Sequence, residues 1–168
     1  LSNGIRVLVK QTAFKQDKIL LSGSRFGGQS RYDVPDMHNA RHAVDIASSM
    51  GLGPHSPTQL SNLLAGKAAQ LSVGMDMYRE NVAGSSTISD AQTLFELMHL
   101  RFSPMRRDQD LFSAYISRAQ DATKNARVAP DTMFSDALSK AIWQNHPRTQ
   151  LAPSPDDFAG ISLDRVEA

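Results

Sequence analysis

His38-Asn39-Ala40-Arg41-His42 is the stretch whose residue types and spacing come nearest to chemistry. On a helix, residues four apart share a face, so two such histidines can offer their imidazoles to one metal ion. The stretch from Asp36 to Gly51 has helical periodicity, at about 100° per residue. Ala40, Ala43, Val44, Ala47, Met50 and Gly51 fall on one side, and His38, Arg41, His42, Asp45, Ser48 and Ser49 on the other. Two readings stand at this point. His38 and His42 are a metal-binding pair, or they are solvated residues on the polar face of an amphipathic helix.

The other candidates carry less. His55 precedes a helix cap, His99 lies in a helical run and His146 stands before a proline; each reads as structural or exposed. Gly23, Gly27 and Gly28 match neither phosphate-loop spacing. Arg101, Arg106 and Arg107 gather near Pro104, and read as a helix-terminus cluster rather than an anion site. The serines around Ser48 and Ser85 lack a nucleophile-elbow pattern. With no cysteine in the chain, thiol catalysis, Cys-ligated zinc, iron–sulfur clusters and disulfides are excluded. A net charge of +1 gives no electrostatic case for nucleic acid or an anionic membrane. No run approaches the ~20 apolar residues that span a bilayer. The opening Leu-Ser-Asn-Gly has no Met and no signal-peptide regions, so the chain reads as an excerpt of a longer polypeptide.

What must position these residues is a mixed set of elements. Ile5, Val7 and Val9 alternate with polar or outward positions after Asn3-Gly4, which predicts a strand. Ile19 to Phe26, Leu71 to Tyr78 and Asn81 to Ile88 predict three more. Ser56-Pro57-Thr58-Gln59 and Ser89-Asp90-Ala91-Gln92 are capping-box signatures before apolar helical runs. Leu111 to Ala119 and Met133 to Ile142 repeat at helical spacing. Strands in adjacent pairs with amphipathic helices predict an α+β fold: two layers, about four mainly antiparallel strands, helices on one face. The organisation expected is one domain over 1–152, with 153–168 as a linker or tail leading to an absent second half.

The chain resembles the pitrilysin/insulinase family of zinc metallopeptidases. Leu1-Ser2-Asn3-Gly4-Ile5-Arg6-Val7 resembles the opening of a domain of that family. Lys10 to Asp17, Gly27-Gly28, Gly51-Leu52-Gly53, Leu64-Ala65-Gly66-Lys67 and Phe95 to Phe102 with Arg106-Arg107-Asp108 resemble the second, non-catalytic domain of its bacterial two-domain members. The active domain of the family carries His-x-x-Glu-His, with two zinc ligands, a Glu general base, and a further Glu downstream as third ligand. By that resemblance His38 and His42 match the two ligands, and Arg41 stands in place of the general base. A guanidinium accepts no proton at neutral pH, and its charge opposes a nearby zinc ion. Glu80, Glu96 and Glu167, the only glutamates, do not match the third ligand in spacing.

The resemblance therefore implies no catalytic residue and no metal site in this chain, His38 and His42 remaining the candidates to examine. It implies a non-catalytic first half of a domain that helps form a peptide chamber opposite the zinc-bearing half of the same polypeptide. Zinc belongs to the parent enzyme, and no cofactor to this chain. The alternative is an interaction module resembling the non-peptidase subunits of the family. The implied partners are the catalytic half and peptide substrates, with peptide expected at the face or edge of the Leu71–Tyr78 and Asn81–Ile88 strands. A periplasmic or membrane-associated location in a bacterium goes with the resemblance. Apolar surface left bare by the missing half is expected to favour homo-oligomers of the fragment.

Overall fold

The computed structural model describes residues 2–149 and 151–167. Leu1, at the head of the family-like opening, and Ala168, at the end of the expected tail, lie outside the described residues. Strands β1 (Ile19–Phe26), β2 (Gln70–Met75) and β3 (Arg79–Ser86) form one antiparallel sheet in the order β1-β3-β2. β1 pairs with β3 from Ile19↔Ser86 to Phe26↔Arg79, and β2 pairs with β3 from Gln70↔Ser85 to Met75↔Glu80. Helices α1 (Met37–Ser49), α2 (Pro57–Leu63), α3 (Ala91–Arg101), α4 (Gln109–Ala126), α5 (Pro130–Ile142) and α6 (Leu163–Glu167) complete the chain. The class is α+β, as the alternation of patterns predicts.

The sheet has three strands rather than four. Residues 5–10, which alternate like a strand, are not part of it, and Val7, Leu8 and Val9 are exposed. Alternation marks a segment suited to a half-buried strand, but a strand exists only where another strand supplies its ladder. The described residues supply none there.

Period-two alternation gives the sheet two unlike faces. Ile19, Leu21 and Leu71 point to the helices and join Leu52, Ala69, Leu94 and Leu97 in one apolar cluster. Leu20, Ser22, Ser24 and Phe26 of β1 are exposed on the other face. There the Arg79 guanidinium lies 4.9 Å from the centre of the Phe26 ring. At Gly84 the sheet lies close against α3. A Cβ there would stand 2.8 Å from Leu94 Cδ1, so only glycine lets α3 lie this near β3.

A second cluster holds the helical layer together. Ile46 and Met50 of α1 pack on Phe158, Ile161 and Leu163, against Leu111, Phe112 and Tyr115 of α4. The stretch read as linker and tail thus carries three buried apolar residues. Its Pro155–Phe158 turn is closed by Ser154 N–H donating to Asp157 Oδ2 at 2.7 Å. Asn39, itself buried, accepts from Ser162 N–H at 3.0 Å and ties α1 to this segment.

The caps follow the sequence in one place and not in another. Ser56 and Gln59 form the reciprocal capping box ahead of α2. The box expected at Ser89 does not form. Asp90 is the residue before α3, and its carboxylate accepts instead from Ala68 N–H at 2.9 Å and Thr87 Oγ1 at 3.2 Å. These bonds, led by the Ala68 amide, hold the Asp90 carboxyl below its usual range. The side chain staples α3 to the entry of β2 at the expense of capping its own helix.

Candidate functional site

Two places bring chemistry-bearing residues together: the polar side of α1, and a groove beside β2.

On α1 the helix runs from Met37 to Ser49 and ends at Gly51, where φ is +94° and a Cβ would meet His55 O at 2.2 Å. A side chain there is excluded both by conformation and by space. His38 and His42 lie on one side of the helix, as spacing predicts, and both are half-buried there. α4 and the Pro155–Phe158 turn close over it. His42 is half-buried, with its ring 4.8 Å from that of Phe158 and its Nδ1 3.2 Å from Tyr115 Oη. His38 Nε2 is 3.8 Å from Asp157 Oδ1. The cover over His42 arrives from a residue 73 positions away, which helical periodicity does not see, while Asp45 and Ser48 on the same side stay exposed.

Burial sets the electrostatics of this patch. Loss of solvent is the main cause that pushes the His42 pKa below 6.5. The Arg41 charge adds to it, and Asp45 opposes it. Burial likewise raises the Tyr115 hydroxyl, with the Asp45 carboxylate acting in the same direction. His42 is therefore the neutral imidazole at neutral pH. Arg41 Nε and Nη2, His38 Nδ1 and His42 Nε2 are buried with no hydrogen-bond partner in the protein. Among the described residues no three His, Asp or Glu side chains converge in a way that could hold a metal ion.

The groove, about 740 Å³, lies along β2 and is walled by α2, α3 and the end of α1. Leu52, Leu60, Leu64, Leu71 and Leu97 give it an apolar floor, Gln70, Ser72 and Ser85 add polar groups from the strands, and Arg101, beside Ser48, is its one charged member. β3 is the central strand, so the Asn81–Ile88 segment has no open edge, contrary to expectation. β2 has one. Gln29 Nε2 donates to Met75 O at 3.3 Å and covers the end of that edge, and no described strand pairs with residues 70–74 on that side. Sequence reasoning set Ser48 and Arg101 aside and did not foresee the groove that joins them. The signal available was small: Ser48 and Arg101 stand 53 residues apart, and only the fold joins them.

No protein-family model matches the chain. A zinc protease PQQL-like protein of Arabidopsis thaliana is 25% identical over 122 residues, covering 72% of this chain and 12% of that protein. The chain is related to a segment of PqqL-like zinc proteases. The periplasmic protease PqqL of Escherichia coli superposes with a TM-score of 0.82 over 98% of this chain, at 16% identity. The ferredoxin protease FusC, solved in complex with Arabidopsis ferredoxin, superposes with a TM-score of 0.73 over 90% of this chain, also at 16% identity. The chain spans 18% of that PqqL chain and 16% of that FusC chain. The resemblance to pitrilysin-type proteases read from residues thus has support in both sequence and fold.

Proposed function

We propose that this chain is a non-catalytic segment of a PqqL-like zinc protease. In this reading it forms part of the wall of a peptide chamber, opposite the half that holds zinc. The observation that carries the reading is Arg41. It stands between two histidines at ligand spacing, at the position where a general base is needed. Its guanidinium gives no proton acceptor, and its charge lies beside any cation the histidines would bind. Catalytic zinc takes three protein ligands and one water. The donors around α1 do not fit that ion: two imidazoles, one of them engaged with Tyr115, beside an arginine.

Without a reacting side chain the segment acts by confinement and orientation, which lower the barrier by fixing a bound peptide and excluding water. The open edge of β2 and the apolar groove beside it support the peptide-contacting role. The bare stripe of α5, with Met133, Phe134, Leu138 and Ile142 exposed, supports a role as one piece of a larger body. Protein or peptide substrates and a periplasmic location go with the reading, as for FusC and PqqL respectively.

The test uses the longer polypeptide. His38→Ala and His42→Ala should leave its bound zinc and its cleavage of a mixed peptide library unchanged, while substitution of a His-x-x-Glu-His histidine elsewhere abolishes both. Loss of stoichiometric zinc in His38→Ala would overturn the reading. Absence of any His-x-x-Glu-His segment and of any cleavage would favour the alternative, a purely structural interaction module.

A further inference from the structure

The three arginines around Pro104 differ in what neutralises them. Arg106 Nη1 donates to Met50 O at 2.8 Å, and its Nη2 pairs with Asp108 at 2.8 Å. Arg107 pairs with Asp164 at 2.5 Å and Glu167 at 3.2 Å. Arg101 has no carboxylate partner among the described residues. Its Nη2 donates to Ser48 Oγ at 2.5 Å, and its Nε and Nη1 have no acceptor there. The guanidinium is nevertheless half-buried, and burial alone pushes its pKa down, with no acidic group acting against it. A charge partly withdrawn from water and left without a counter-charge is costly.

We propose that Arg101 and Ser48 form a carboxylate subsite, occupied by an acidic side chain of an extended peptide that lies along β2. The proposal rests on the reading above that this segment meets peptide. Charge complementarity selects the occupant: among the described residues Arg101 is the one cation lining the groove, it has no carboxylate partner, and it is half-withdrawn from water, where an ion pair is stronger than between fully exposed groups. Ser48 holds one Nη2 hydrogen and fixes the plane of the fork. The remaining N–H groups suit the two oxygens of a carboxylate. The carboxylate belongs to a side chain because Arg101 ends α3, in the helix layer beneath the sheet. A peptide strand hydrogen-bonded along 70–74 keeps its backbone at the sheet edge, and alternate side chains point down into that layer.

The test is a titration of this chain with a labelled, extended Val/Thr-rich peptide containing one Glu, read by fluorescence anisotropy and by backbone amide shifts. The Glu peptide should bind about 10-fold or more tightly than its Gln counterpart, the range expected for a charged hydrogen bond. Shifts should concentrate at residues 70–74, and amidation of the peptide terminus should change nothing. Arg101→Met should erase the Glu/Gln preference, and Arg118→Met on the exposed side of α4 should keep it. Equal affinity of the Glu and Gln peptides for the unmodified chain overturns the proposal and needs no variant to fold. Loss of binding on amidation alone overturns it in favour of a terminal carboxylate. If both peptides shift 70–74 equally, the subsite falls and the edge reading stands. If the longer polypeptide cleaves nothing yet Glu is preferred, the protease reading falls and the subsite stands.

Discussion

Gly84 and Leu94 offer a quantitative test of how β3 is seated on α3. Leu94 is fully buried, and a Cβ placed on Gly84 would meet its Cδ1 at 2.8 Å, Gln70 O at 3.1 Å and Leu71 Cδ1 at 3.2 Å. Gly84→Ala therefore forces Leu94 to shift and crowds Gln70 O, and should cost about 1–3 kcal/mol. Leu94→Ala removes three heavy atoms from the centre of the same cluster and should cost about 2–5 kcal/mol. At about 2–4 °C per kcal/mol for a chain of this size, either loss is visible in a thermal melt. The double variant is the informative one. The 2.8 Å conflict disappears with the leucine, and the new methyl fills part of the space left, while the contacts to Gln70 and Leu71 persist. The double variant should thus be more stable than the sum of the singles implies, by about 1 kcal/mol or more. Urea unfolding followed by far-UV circular dichroism reads all four proteins. Trp143 is a poor reporter because it lies exposed beyond α5. Strict additivity, or a silent Gly84→Ala, would show that the close seating of β3 on α3 is not what glycine secures.

His42 makes stability depend on pH. Its folded pKa lies below the ordinary 6.5, so the unfolded chain binds the extra proton first, and the contribution is full above 6.5 and lost as pH falls through the lowered value. Melts from about pH 7.5 to 5 should show a decline in Tm that is shallower in His42→Gln, and an unchanged slope would refute the assignment. The chain itself, dialysed against a weak chelator, should hold less than one zinc per molecule, and Arg41→Glu alone should hydrolyse no peptide because a third ligand is not supplied. Equimolar zinc with turnover lost in His38→Ala would refute both expectations.

Local pattern carried much of the fold. β1, β2 and β3 lie within a few residues of where alternation puts them, and α2 begins at the serine that caps it. What the sequence conceals is what arrives from far away. Residues 5–10 alternate well, yet pairing is decided by a neighbour that no local window contains. At Ser89 the signature for a capping box is complete, but Ala68 N–H offers Asp90 a competing partner. Phe158, Ile161 and Leu163 are too short a run to show a period, although Ser154-Pro155-Asp156-Asp157 carries a turn signal similar to that at Ser56. The site follows the same division. Spacing placed His38 and His42 on one side of a helix, and nothing local foretold Tyr115 and Phe158 above them.

Packing alone can hold the histidine pair of α1 in place. The helix that bears the histidine pair is held by Ile46 and Met50 on one side and by Tyr115 and Phe158 over the histidines. Its position is thus secured by packing, and no metal is needed to hold it. Closing the patch lowers the His42 pKa and keeps its imidazole neutral, and it is the buried Arg41 charge beside it that disfavours a divalent cation. The last turn of the same helix brings Ser48 beside Arg101, which has no carboxylate partner among the described residues, near the open edge of β2. Cover thus lies over the start of α1, while its end stands open beside the sheet edge. For the chamber wall proposed above, which holds peptide and does no chemistry, the open end is the property required and the histidine pair is not.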